Sequence, residues 1–176
     1  MTRADGGEAP TGAVLLDEVV ATTDAMGRIG ARLAAVLTRG DLVVLTGPLG
    51  AGKTTLTRGL GAALGARGQV SSPTFVLART HPTARGVDLV HVDAYRLLDS
   101  VELDDLDLDW DDSIVVVEWG RGMVDGISLN LLDVEIERAT GADAPAPDDL
   151  DPDDVPDEPR RVIVRGVGPR WQSAVL

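Results

Sequence analysis

The sequence predicts an α/β fold in three layers, built on a mostly parallel, mixed sheet, and three observations carry that expectation. The run Leu42-Val43-Val44-Leu45-Thr46 is short, continuous and apolar, the pattern of a strand buried on both faces, and it passes through a glycine-rich turn straight into a helical pattern. Two more apolar runs, Leu89 to Asp93 and Ile114 to Glu118, each end on a carboxylate. Later in the chain, Leu132, Val134 and Ile136 alternate with Asp133, Glu135 and Glu137, the period of two that marks a half-exposed strand.

The elements follow in order. Met26, Ile29, Leu33, Val36 and Leu37 keep helical spacing after Thr22-Thr23-Asp24, which predicts a helix over about 24–38 capped at its start and ended near Gly40. The strand at 42–46 comes next. A second helix is expected over Thr54 to Leu64, with Leu56, Leu60, Ala63 and Leu64 on one face and Gly65 as its stop. Further strands are expected at Phe75 to Thr80, Val87 to Asp93, Ile114 to Trp119 and Val162 to Arg165. Gly141 to Pro159 holds five prolines and eight acids. Such a composition cannot bury enough apolar area to offset chain entropy, so it reads as a disordered acidic loop between two late strands of a single domain spanning 1–176.

Composition narrows the chemistry. No cysteine is present, which excludes disulfides and thiolate sites, and two histidines, His81 and His91, do not make a zinc site by themselves. Any metal should be hard and oxygen-liganded. The chain has no apolar stretch near the ~18 residues of a membrane span, and Met1 to Pro10 lacks the pattern of a signal peptide, so a cytoplasmic location is expected. The net charge of −13 is unevenly spread: Asp99 to Asp112 and Asp143 to Glu158 each hold eight acids and no base, which leaves the remainder at +3. Fifteen of the sixteen basic residues are Arg, and Lys53 is the only lysine.

That lysine lies in Gly47-Pro48-Leu49-Gly50-Ala51-Gly52-Lys53-Thr54, which matches the phosphate-loop pattern G-x-x-x-x-G-K-[ST] between a buried strand and a helix. Glycines let successive N–H groups turn inward onto phosphate oxygens, and the following helix presents its partially positive end. Gly50, Ala51, Gly52, Lys53, Thr54 and Thr55 are thus candidate nucleotide contacts. Lys53 is placed to bridge the β- and γ-phosphates, and Thr54 to offer a hydroxyl to Mg²⁺. A dinucleotide fingerprint fits less well, since Thr55 stands where its third glycine would be.

A phosphate-loop protein uses an acid at the end of a neighbouring strand to complete the Mg²⁺ shell, and Asp93 and Glu118 both qualify. Either alone also reads as a loop cap or a partner of Arg96. Ser71-Ser72-Pro73-Thr74-Phe75 reads equally as a switch-like segment or an ordinary strand-entry turn. His91 reads as a core residue, and Trp119 as core packing or a flat wall beside a ligand.

Taken together, the phosphate loop, Ser72-Pro73-Thr74-Phe75, His91-Val92-Asp93-Ala94-Tyr95-Arg96-Leu97 and Val117-Glu118-Trp119 resemble in order and spacing the TsaE family, the small ATPase of bacterial tRNA threonylcarbamoyladenosine biosynthesis. The resemblance runs from about Thr22 to Trp119. It implies a Mg²⁺-dependent ATPase of P-loop NTPase fold working with TsaD and TsaB on adenosine 37 of ANN-decoding tRNAs, with tRNA met only through those partners. By position it implies catalytic roles for Lys53, Asp93 and Glu118, with Asp93 as the Walker-B-like acid. Thr54 and Glu118 would be metal ligands, and Thr23 and Arg161 would approach the nucleotide outside the loop. The chain departs from the family's usual pattern at Pro48 and at Gly120-Arg121.

Other readings remain. A signalling GTPase is disfavoured, since Asn130-Leu131-Leu132-Asp133 lacks the lysine of its guanine motif. A small-molecule P-loop kinase is the main rival, although the stretch after Trp119 offers only Arg121 and Arg138 toward a basic lid before the acidic loop. A nucleotide-sensing module that hydrolyses nothing is the third.

Overall fold

The computed structural model describes residues 9–138 and 158–176. Its sheet has seven strands: β1 (Ala13–Val20), β2 (Leu42–Thr46), β3 (Ala78–His81), β4 (Asp88–Asp93), β5 (Ser113–Glu118), β6 (Leu131–Arg138) and β7 (Arg160–Val167), in the order β1-β7-β6-β2-β5-β4-β3. The four central strands, β6, β2, β5 and β4, run parallel, and β3, β7 and β1 join antiparallel at the two sides. The expected mixed, mostly parallel α/β sheet is therefore what forms. The acidic stretch expected to be disordered, 141–159, lies outside the described residues save its last two positions.

Helices α1 (Thr23–Val36) and α2 (Lys53–Leu64) cover one face. Thr22 caps α1, its Oγ1 accepting from the Ala25 N–H at 3.1 Å, and Gly65 ends α2 in the left-handed region at φ 71°. Met26, Ile29 and Leu33 of α1 and Leu56, Leu60 and Leu64 of α2 pack onto Val43, Leu45, Ile114, Val116, Val134 and Val162. The helices touch backbone to backbone. A Cβ at Gly30 would run into the Leu56 carbonyl and stand 2.7 Å from the Leu60 nitrogen, whereas one at Gly27 would meet only the Gly59 Cα at 4.0 Å.

The opposite face has a thinner layer. Leu42, Val44, Val90, Val92, Val115 and Val117 pack beneath Ala94, Leu97, Leu103, Met123 and Val124, which come from turns and the short helix α3 (Ser100–Asp104) rather than from long helices. Toward β6 and β7 that face is ionic: Arg121 grips Asp133 at 2.7 Å, and Arg165 holds Glu135 at 2.7 Å. Burial pushes the Glu135 carboxyl up, but the hydrogen bonds from Arg165 and Arg121 outweigh it and hold the group below its ordinary value.

Two elements differ from expectation. β1 had no counterpart among the expected strands, because only Leu16 and Val20 of it are buried and an irregularity between Val14 and Leu16 interrupts the alternation. β3 begins at Ala78 rather than Phe75: the Val76 and Leu77 N–H groups curl back to the Pro73 carbonyl, at 2.9 and 2.7 Å, and Leu77 adopts φ 65° before extended structure starts.

Candidate functional site

The site forms where β2, β4 and β5 end together on one edge of the sheet, the edge at which parallel α/β sheets present their ligands. From β2 the chain turns through Gly47 to Gly52 into α2. The turn closes with the Ala51 N–H on the Pro48 carbonyl at 3.0 Å. Gly50 at φ 73° and Gly52 at φ 107° take conformations that side chains rarely tolerate, and Gly52 is the N-cap of α2 with no side-chain acceptor for the first-turn amides. An anion is the acceptor such a helix start suits.

Lys53 lies buried under this turn. Its Nζ donates to the carbonyls of Gly47 at 2.6 Å and Pro48 at 3.1 Å and stands 3.6 Å from the centre of the Trp119 ring. Trp119 leaves β5 with φ 61°, its N–H on the Leu45 carbonyl at 2.9 Å, and Tyr95 packs against its ring with centroids 5.1 Å apart. The tryptophan is thus a wall over the lysine rather than part of the core.

The two candidate acids sit side by side, Asp93 opposite Glu118 in the β4–β5 ladder, yet they do different things. Glu118 faces the loop: its Oε1 accepts from the Thr54 hydroxyl at 2.9 Å and lies 2.8 Å from His91 Nε2. His91 is therefore buried but not a passive core residue. Asp93 faces the segment before β3. Its Oδ2 accepts from Thr74 Oγ1 at 2.7 Å and Ser72 Oγ at 3.3 Å, and its Oδ1 accepts from the Tyr95 N–H at 3.0 Å. The Ser-Ser-Pro-Thr segment is tied to this acid, and Arg96 reaches the Thr74 carbonyl at 3.5 Å.

Thr54 and Glu118 suit a small divalent cation such as Mg²⁺, which takes one or two hard protein oxygens and fills the rest of its shell with phosphate and water. Among the described residues no three His, Asp or Glu side chains gather to hold a metal by themselves. A cation here would depend on a phosphate ligand beside it.

A narrow cleft next to the loop is lined by Thr22, Thr23, Ala51, Gly52, Thr55 and Arg160, among others. The structure thus brings Thr23 together with Ala51, Gly52 and Thr55. It does not bring Arg161, whose guanidinium grips Asp17 across β1 in a two-pronged pair at 2.8 and 2.9 Å and holds that carboxyl below its ordinary value. Strand parity explains this placement. Val162 and Val164 point to the helices, so Arg160 shares their face and Arg161 points away. Arg138 is a further neighbour of the loop that sequence reasoning did not place there, and its Nη2 donates to the Leu49 carbonyl at 3.1 Å.

Comparison with known proteins agrees in one direction. The family model described as "Threonylcarbamoyl adenosine biosynthesis protein TsaE" matches residues 20–144. A Streptomyces coelicolor protein named "tRNA threonylcarbamoyladenosine biosynthesis protein TsaE" is 52% identical over 153 residues, covering 85% of this chain and 95% of its own. A Haemophilus influenzae protein of the same name is 40% identical over 110 residues, 56% of this chain and 69% of its own. The crystal structure of Bacillus subtilis YdiB superposes with a TM-score of 0.69 at 25% identity over 93% of each chain.

Proposed function

The chain belongs to the TsaE family of tRNA threonylcarbamoyladenosine biosynthesis, and from that premise we propose that it binds ATP with Mg²⁺ in the Gly47–Thr54 loop and hydrolyses it in concert with homologues of TsaD and TsaB during threonylcarbamoylation of adenosine 37 of ANN-decoding tRNAs. The observation that carries this reading is the hydrogen bond from Thr54 to Glu118 at the start of α2, which sets a hydroxyl and a carboxylate together beside the phosphate loop. Bound Mg²⁺ would supply positive charge to the β- and γ-phosphate oxygens. The chain's own groups do the rest. The first-turn amides of α2 bind and orient phosphate, Lys53 adds the one lysine charge, and Glu118, steadied by His91, keeps Thr54 in place. Asp93 holds Ser72 and Thr74 near the same edge, where a hydroxyl can report whether the terminal phosphate is present.

The tRNA is met through the partners, in keeping with a net charge of −13 on this chain. Among the described residues no helix is long and apolar enough to cross a membrane, and we place the activity in the cytoplasm.

Glu118→Gln and Asp93→Asn test the assignment of the two acids. Each keeps the side-chain shape and removes a charge, and each is expected to lower Mg²⁺-dependent hydrolysis about 10- to 100-fold while ATP binding without metal persists. An acid whose variant hydrolyses ATP at the parent rate at limiting Mg²⁺ has only a structural role.

Partner dependence gives a second test. Slow turnover by the isolated chain should rise when TsaD and TsaB homologues are added, and association should weaken as salt climbs from about 50 to 300 mM, where screening shortens to under ~10 Å. Asp104, Asp105 and Asp107 are exposed beside a groove lined by Phe75, Leu77, Arg96, Leu97 and Leu106. Neutralising the three together should weaken association without changing ATP affinity. Equal turnover with and without partners, and no nucleotide-dependent association, would favour a stand-alone kinase.

A further inference from the structure

The chain that leaves β5 crosses the end of β2 and is tied down on the far side. Trp119, the residue after β5, has φ 61°, a conformation that costs free energy and persists only where its surroundings hold it. On one side it is held by β2, its N–H on the Leu45 carbonyl at 2.9 Å. Gly120 follows so closely over β5 that a Cβ there would lie 2.7 Å from the Val117 side chain. The next residue, Arg121, sends its guanidinium past β2 to β6. Its Nη2 and Nε donate to the two oxygens of Asp133 at 2.7 and 3.3 Å, and its Nη1 donates to Glu135 at 3.4 Å. Asp133 and Glu135 are the β6 residues paired with Val44 and Thr46, at the end of the strand that feeds the phosphate loop. The turn is thus pinned across β2, from β5 to β6.

This pin is buried: the Arg121 side chain is 7% exposed and that of Asp133 1%. Burial works against the Arg121 charge, but the hydrogen bonds and charges of Asp133 and Glu135 outweigh it and hold the guanidinium above its ordinary value. A planar fork on a carboxylate fixes orientation as well as distance, which a point charge does not. What the pin fixes is the start of the turn. There the Trp119 ring stands 3.6 Å from the Lys53 ammonium, with Tyr95 packed against its other neighbours at a centroid distance of 5.1 Å.

We propose that Arg121 is a positioning residue for the phosphate-binding lysine: by gripping Asp133 it fixes the turn that carries Trp119, and Trp119 keeps the Lys53 ammonium within the loop. The proposal rests on the reading of Gly47–Thr54 as the ATP site. A lysine loses rotamer freedom when it engages a phosphate, and a wall that already restricts it lowers that cost. The ring face also attracts the ammonium. With Arg121 gone, the turn loses its anchor on β6, the strained Trp119 backbone relaxes, and the wall moves off the lysine.

The experiment joins calorimetric titration of the full chain with ATP and Mg²⁺ to thermal unfolding and to fluorine NMR of protein carrying fluorotryptophan. Trp110, Trp119 and Trp171 are the three tryptophans, and Trp119→Phe assigns one of the three signals. The parent is compared with Arg121→Met and with Arg121→Met/Asp133→Leu, which removes the partner carboxylate along with the lost charge and leaves Glu135 on Arg165. In both variants ATP affinity is expected to fall about 10-fold, and the Trp119 signal to shift or broaden while those of Trp110 and Trp171 hold. Recovery of parent affinity in the double variant would mean that Arg121 acts only by its charge near the phosphates, and that overturns the proposal. A merely structural role would lower the thermal midpoint and leave affinity and the Trp119 signal alone, which overturns it as well. If Arg121→Met does not fold because Asp133 is left buried and unpaired, the double variant decides by the same two readings. A parent that binds no ATP overturns the nucleotide reading and this proposal with it. A parent that binds ATP, beside variants with parent-like affinity and an unmoved Trp119 signal, overturns this proposal alone.

Discussion

Lys53→Ala is expected to abolish measurable ATP binding while leaving the protein folded. The lysine is the only one in the chain, and its Nζ lies buried under the loop rather than in solvent, so no other ammonium can replace it. A hydrogen bond to a charged group contributes about 1.5–3 kcal/mol, so losing two to phosphate corresponds to roughly a hundredfold or more in affinity. The fold should persist, because the ammonium rests on two carbonyls of a turn and on one ring face, outside the packing between α2 and the sheet. Calorimetry showing parent-like ATP affinity in a folded variant would remove the loop from the site altogether.

The largest effect on stability is expected at the crossing of α1 and α2. Gly30→Ala places a methyl group against the Leu56 carbonyl and the Leu60 nitrogen, which are backbone atoms that cannot rotate aside. Overpacking of this kind costs about 1–3 kcal/mol, and a clash with backbone falls at the upper end, so the thermal midpoint should drop by roughly 6–12 °C. Gly27→Ala, one turn away on the same helix, meets nothing closer than 4.0 Å and should gain up to about 1 kcal/mol from helix propensity. Thermal unfolding of the two variants side by side checks the close approach itself. Equal midpoints would mean that the helices pack farther apart.

The elements legible from the sequence were those whose pattern is local. Leu42 to Leu45 and Ile114 to Val117 are apolar throughout because both faces of those strands are covered, and α1 and α2 show one apolar stripe because one face is. β1 was not legible, since an edge strand with an irregular register and two buried side chains leaves little periodic trace. The site divided in the same way. The phosphate loop is contiguous and could be read directly. Asp93 and Glu118 looked alike, because each ends an apolar strand, and only the sheet order separates them: β5 lies next to β2 and brings Glu118 to Thr54, while β4 is one strand farther out and turns Asp93 to Thr74. That Arg160 and not Arg161 lines the cleft follows from parity, given Val162 and Val164 inward, but the neighbours of a cleft depend on which strands meet there.

Arg138, the last residue of β6, stands directly opposite Arg160, the first of β7. β6 ends and β7 begins at the same rung of the ladder, and the register of the two strands is held by their own eight pairs. Closing a flexible loop costs only a logarithm of its length, about 0.6 kcal/mol for each doubling. A label grafted between these two residues should therefore leave the sheet untouched, at a cost set only by the length added.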